Sequence, residues 1–305
     1  DKVSRALIDK DAIYSAEGNA SITSSSQVIG QIVAYAGEYG ISTNPESFAV
    51  YGNRKYFTDK KRGVVLRLSG GAGGGQGITE ISSYGMHDFF RDELADATKV
   101  VGGWNSHTKD YVLSLQTNSD YKTATFDEGV LGWTSFSSYK PSHIFSLSNV
   151  FYTFNQDIDI NGNLGRLYQH YSGPYAKFYG VTYGSDVTIV LNSQPSVVKN
   201  FKTINYEGGP GWELESMVAS STDKTLPIGK YVFQENLASL ENQIWSNTFK
   251  KKEDKYFANL INNSPATNGE ILYGADMSGI KGFYSTVKMS ISPITQFDTS
   301  AIKKE

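Results

Sequence analysis

The chain has 305 residues, no cysteine, and a formal charge of −3 from 28 basic and 31 acidic residues. Without cysteine there is no disulfide, no thiolate zinc site and no cysteine nucleophile, and without a positive excess there is no broad nucleic-acid clamp. No apolar run approaches the roughly 20 residues that a membrane helix needs, and 39% hydrophobic with 19% charged residues is an ordinary globular balance.

The start, DKVSRALIDKDAIY, has neither Met nor a signal-peptide core and reads as the interior of a longer polypeptide. Residues 12–27 predict a hairpin, with AIYSA and ASITS around a turn at Glu17-Gly18-Asn19. Pro45 keeps Asn44 out of the helical region, so a loop falls there. The stretch RKYFTDKKRGVVLRLS, residues 54–69, predicts a second hairpin. Val64, Leu66 and Leu68 share one face and Val65, Arg67 and Ser69 the other, which is strand periodicity with one apolar side. Asp59 braces the turn and Gly63 takes the left-handed conformation before the return strand. Lys60, Lys61 and Arg62 form its tip, either as a solvated turn or as a charged contact with a neighbouring subunit.

The glycine tract at 70–77 lacks the Gly-Lys-Ser/Thr of a P-loop and runs into ITEIS, not into a helix, so it reads as a flexible strand connection. Residues 82–97 carry the clearest helix, with Met86, Phe89, Phe90, Leu94 and Ala97 in one stripe and Ser82 or Ser83 as cap. Strands then dominate: a hairpin around Asn105–Asp110, then TATFDE, GWTSFSS, HIFSL, VFYTFN, RLYQHYS and KFYGVTYGSDVTIVLNS, with Val187, Ile189 and Leu191 on one face. Gly208-Gly209-Pro210-Gly211 is a firm breaker. It predicts a hairpin-rich, propeller-like domain over 1–207, with its helix near 83–97, and an α+β segment over 208–305. Leu237, Leu240, Ile244 and Trp245 have spacing compatible with a second short helix. Near the end Val287, Met289 and Ile291 alternate with Thr286, Lys288 and Ser290 as a half-buried strand. The fold class is therefore mainly β, with propeller-like or sandwich-like antiparallel hairpins and one or two short helices.

Chemistry is hard to find. The four histidines, His87, His107, His143 and His170, are far apart and show no metal-ligand spacing. No GxSxG elbow occurs. In Asp157-Ile158-Asp159-Ile160-Asn161-Gly162, oxygen ligands at the first, third and fifth positions with Gly sixth resemble the opening of a calcium loop. The twelfth position is Tyr168, not Glu, so the motif reads either as a divalent-ion site held by Asp157, Asp159 and Asn161 or as an Asx-rich turn. No catalytic residue, cofactor-binding residue, resident cofactor or metal ligand is assigned. Trp104, Trp133, Trp212 and Trp245 are read as core packing or as subunit contacts.

Several longer blocks carry a resemblance: YGISTNPESFAVYGNRKYFTDKKRGVVLRLS, GITEISSYGMHDFFRDEL, GWTSFSSYKP, SVVKNFKTINYEG, NTFKKKEDKYFANLI and SGIKGFYSTVKM. Together they resemble the tail muzzle, or nozzle-type, structural proteins of crAss-like bacteriophages and related cyanophage virion proteins. The resemblance implies a non-enzymatic structural role in the virion tail. It implies a homo-oligomeric ring at the DNA exit end, assembled with other tail proteins and with other segments of the same polypeptide. DNA would pass through the lumen without specific binding, and the host cell surface would lie nearby. Two other classes remain open on the residues alone. One is a β module presenting aromatics to host glycans. The other is a glycan depolymerase, whose mark would be two carboxylates about 5–10 Å apart in a cleft.

Overall fold

The computed structural model describes residues 2–14, 20–70, 77–157, 162, 164–220, 232–233, 248–260 and 279–292. The chain divides into two units, Asp1–Ser172 and Gly173–Glu305. It is mainly β, built from antiparallel hairpins.

In the first unit β1 (Ser4–Tyr14) and β2 (Ala20–Ala34) form a two-stranded ribbon. A sheet follows from β3 (Ala49–Tyr51), β4 (Arg54–Asp59), β5 (Val64–Ser69) and β6 (Gly77–Glu80), in that order. After α1 (His87–Asp96) a second four-stranded meander runs through β7 (Lys99–Asn105), β8 (Asp110–Gln116), β9 (Tyr121–Asp127) and β10 (Gly132–Ser137). β11 (His143–Leu147), β12 (Val150–Asn155) and β13 (Arg166–Gln169) complete the unit as a three-stranded sheet. These sheets stay open and do not close into a propeller, which corrects the propeller-like expectation: hairpin spacing alone does not specify how successive sheets are arranged.

The period-two pattern of β4 and β5 explains how the first two sheets meet. Tyr56 and Val65 enter one core with Phe90, Leu94, Trp104, Tyr111, Leu113 and Phe126. Phe57, Val64, Leu66 and Leu68 enter another, covered by Val3, Tyr35, Tyr39 and Ile41. Both faces of β5 are thus buried, whereas its pattern predicts one apolar side. The ribbon root and the segment after it cover the second face. Each fully buried aliphatic or aromatic side chain here contributes about 1.5–3 kcal/mol relative to exposure.

The turn between β4 and β5 is as expected. Residues 60–62 make one 3-10 turn and Gly63 follows at φ 67°, in the left-handed region. The helix is shorter than the expected 83–97. It begins after Met86, with no side-chain cap. Ser82 is buried instead, where its Oγ accepts the Val65 N–H, and the Ser83 Oγ donates to the Glu80 carbonyl. Both serines serve the β6 junction. The apolar stripe holds: Phe90, Leu94 and Ala97 are buried, with Met86 and Phe89 packed beside them.

The second unit contains β14 (Lys177–Phe178), β15 (Val181–Thr182), β16 (Ser185–Leu191), β17 (Lys199–Phe201), β18 (Thr203–Glu207) and β19 (Glu213–Ala219). After these come β20 (Val232–Phe233), β21 (Thr248–Lys252), β22 (Lys255–Asn259), β23 (Ile280–Gly282) and β24 (Ser285–Ile291). β24 runs between β16 and β19, and β18, β22, β21 and β20 form a four-stranded sheet. The β20–β21 pair is parallel, and the other pairs among the described residues are antiparallel. β24 alternates as its sequence predicts: Val287 and Met289 join Leu214, Met217, Phe249 and Tyr256 in the core. Gly208–Gly211 is the turn from β18 to β19, inside this unit, and the division of the chain falls between Ser172 and Gly173. The second helix expected around Leu237–Trp245 lies outside the described residues, as do the Glu17-Gly18-Asn19 turn and residues 71–76 of the glycine tract. No described helix is long and apolar enough to cross a membrane.

Candidate functional site: the ribbon and its root

The ribbon of β1 and β2 is much longer than the hairpin predicted at 12–27. Its pairing runs from Ser4↔Ala34 to Tyr14↔Ala20. Eleven residues of extended strand span about 36 Å at roughly 3.3 Å each. The register slips on both sides of Ile8, where Asp9 has φ 54° and faces a four-residue excursion of β2. Ile8, Ile22, Val28, Ile29 and Ile32 are 59–71% exposed. β2 reads ASITSSSQVIGQIVA, with no charge and no proline. Those are the devices that normally keep an exposed strand edge from pairing. A lone two-stranded ribbon is marginal in water, and this one leaves those large apolar side chains exposed.

Its root is fixed by backbone and by one buried carboxylate. The Val3 N–H donates to the Tyr39 carbonyl and the Tyr35 N–H to the Val3 carbonyl. The Asp59 side chain, 1% exposed, accepts from the Gly40 N–H at 2.9 Å, the Ser42 hydroxyl at 2.8 Å and the Arg62 guanidinium at 3.0 Å. Burial pushes the Asp59 carboxyl up, but these three donors outweigh it and hold the group below the usual range. Beside the root lies an open groove of about 700 Å³. Phe48, Phe57 and Leu68 line it, and Lys2, Arg5 and Lys55 supply its charge.

A second polar node ties the first two sheets together. The Glu128 carboxylate, 10% exposed, receives the Arg67 guanidinium at 2.6 Å, the Arg54 guanidinium at 3.2 Å and the Tyr56 hydroxyl. Burial, reinforced by Glu128, pushes the Tyr56 phenol far up, so it stays a neutral donor. His170 makes a third node. Its Nε2 lies 2.7 Å from the Thr153 hydroxyl, and its ring contacts Tyr139 and Phe151. Burial lowers its pKa to about 4.

Those of the residues singled out by sequence that are described do not assemble into a catalytic or metal-binding group. His107 stacks on Tyr171, His143 is exposed on β11, and His87 stands near Glu80 and Asp88 on the surface. Among the described residues no cluster of three or more His, Asp or Glu could hold a metal ion. Asp157 is exposed and pairs with Lys140 at 3.2 Å. Asp159 and Asn161 lie outside the described residues, so the calcium-loop reading is not carried further. Trp104 is core, stacked on Tyr51 and Tyr56. Trp133 is half-buried and donates to the Ile81 carbonyl, and Trp212 packs against the second unit's core. Trp245 lies outside the described residues. The Lys60–Arg62 tip is wired into its own unit, with Lys60 donating to the Ala97 carbonyl and Arg62 paired to Asp59. What sequence reasoning missed was the length of the ribbon, although the uncharged run 20–34 was the available signal.

The first unit thus combines open antiparallel sheets, a long ribbon with exposed apolar residues and buried polar nodes. Residues 173–263 match the family model described as the Crassvirus muzzle protein C-terminal domain. That segment is a crAss-like muzzle domain, and it makes this chain a structural protein of the virion tail. SVVKNFKTINYEG and NTFKKKEDKYFANLI lie within the matched segment, and the other blocks that carried the resemblance lie outside it. No curated protein matches the chain.

Proposed function

We propose that this chain is a non-enzymatic wall element of the tail at the DNA exit end, assembled as a homo-oligomeric ring with other tail proteins. The muzzle-domain match over 173–263 is the observation that carries this reading. The net charge of −3 supports it, because a conduit that lets DNA slide must not neutralise many phosphates. The exposed ribbon supports it too, since it offers more apolar surface than an isolated unit has use for. Virions labelled with an antibody against this chain, imaged by electron microscopy, test the reading. Label in a ring at the tail end far from the capsid is expected. Label on the capsid, or virions free of this chain, overturns it.

A further inference from the structure

We propose that the slot between β16 and β19 is a strand-acceptor site, and that residues 279–292 of the same chain fill it as a separable extended-peptide ligand. The inference goes beyond the tail role and does not depend on it. β16 and β19 do not pair with each other; each pairs with β24, which lies between them. β17 likewise pairs with β23. These acceptor strands lie inside the segment matched to the muzzle domain, residues 173–263, and β23 and β24 lie beyond it. Without 280–291 the core of this unit would lose Ile280, Val287 and Met289. Among the described strands, β16 would then have no neighbour.

The slot is built for one register. Val187 and Leu214 flank Met289 from its two sides, and Ile189 and Met217 flank Val287. Ser285, Val287, Met289 and Ile291 are buried, whereas Thr286, Lys288 and Ser290 are half-buried. Strand addition works in this way: main-chain bonds supply affinity, and alternate side chains supply specificity. Polar contacts then hold the strand along its length. The Ser220 Oγ accepts the Phe283 and Tyr284 N–H groups at 3.2 and 3.3 Å. The Ser285 hydroxyl donates to the Val218 carbonyl at 3.1 Å. The Glu215 carboxylate takes the Ser290 hydroxyl at 2.7 Å and the Lys288 ammonium at 3.0 Å. Two glycines lie where the acceptor leaves no room for a side chain. A Cβ added at Gly279 would stand 2.3 Å from the Asn200 Oδ1, and one added at Gly282 would stand 2.8 Å from the Ala219 Cβ. Residues 261–278 link Leu260 to Gly279, and a stretch of that length can reach about 60 Å. So long a tether does not set the register; the slot does.

The test keeps the whole chain but breaks its tether. Residues 1–268, carrying an affinity tag, and residues 269–305 are produced together. The second piece is expected to co-purify with the first, and hydrogen exchange at residues 186–190 and 214–218 should match that of the unbroken chain. A second piece that washes away, or ladders left unprotected in its presence, overturns the proposal. In the full chain, Val287→Asp with Met289→Asp should speed exchange in those two ladders at least a hundredfold and leave residues 111–115 of the first unit unchanged. A free peptide of residues 279–292 should then restore protection, and the same peptide carrying both substitutions should not. Ladders that stay protected in the full-chain variant would show that the slot needs no such ligand. Equal action of the two peptides, or no action of either, overturns the site as well. Protection in the unbroken chain should not change on dilution. Its loss on dilution would mean that the strand comes from a second copy, and would overturn the assignment to the same chain.

Discussion

Gly103 lies so close to Ile144 that a Cβ added to it would stand 2.2 Å from the Ile144 Cγ2. Its neighbour Gly102 is equally confined, with the Ser47 carbonyl oxygen at 2.2 Å and the Tyr111 hydroxyl at 2.6 Å from such a Cβ. The two glycines of β7 therefore let a turn and a strand approach from its opposite faces. Gly102→Ala and Gly103→Ala should each destabilise the first unit by about 1–3 kcal/mol through overpacking. Gly102→Ala should be the worse of the two, because it strikes backbone and breaks the 2.7 Å bond from Tyr111 to Ser47. Urea unfolding followed by Trp fluorescence measures this, and an unmoved midpoint would mean that the neighbours relax freely.

The Glu128 node predicts an asymmetry between two substitutions. Glu128→Ala leaves Arg67, only 14% exposed, without its carboxylate. Breaking a buried pair on one side costs about 3–5 kcal/mol. Tyr56→Phe removes one donor but keeps the ring that stacks on Trp104 and Tyr111. It should cost about 1 kcal/mol. Equal losses in the two variants, measured by the same unfolding curves, would count against Glu128 as the centre of the staple.

Local periodicity made much of this fold legible and long-range arrangement did not. The alternation of β24, the Asp59–Gly63 turn, the stripe of α1 and the β7–β8 hairpin each depend on neighbours within a few residues. The two buried faces of β5 were hidden, because Val3, Tyr35 and Ile41 come from distant sequence. The glycines of β7 looked like ordinary turn-prone residues, since the groups they admit, Ser47 and Ile144, are about 40 or more positions away. The ribbon was underestimated because its outer parts alternate weakly, and nothing local reports that a strand has no sheet to join. The tail role came from long ordered blocks of resemblance and not from any constellation of side chains.

Acid should loosen the ribbon root by a distinct route. The Asp59 carboxyl is held below its usual range in the folded chain. Its contribution is therefore full above the unfolded value near pH 4 and is lost as pH falls through the folded value. Asp59→Asn should remove about 2–3 kcal/mol at pH 7, since charge-assisted bonds are the strong ones. Hydrogen exchange at Gly40 should speed up in the variant at pH 7 and in the unaltered chain only below pH 4. Unchanged protection at Gly40 in Asp59→Asn would show that backbone packing alone holds the root.

His170 should give the first unit a second, separate pH dependence. Burial lowers its pKa to about 4, below the unfolded value of 6.5. Between those values the unfolded chain binds the extra proton, so stability rises with pH there and falls as the solution is acidified from pH 6.5 toward 4. At about 1.4 kcal/mol for each pKa unit, the loss approaches 3 kcal/mol across that window. His170→Gln keeps a polar partner for the Thr153 hydroxyl but has no proton to gain. Its melting temperature should be lower at pH 7.5 and nearly flat down to pH 4.5, while that of the unaltered chain declines. Parallel declines in both chains would assign the pH response to other groups, and would return His170 to the role of an aromatic filler between Tyr139 and Phe151.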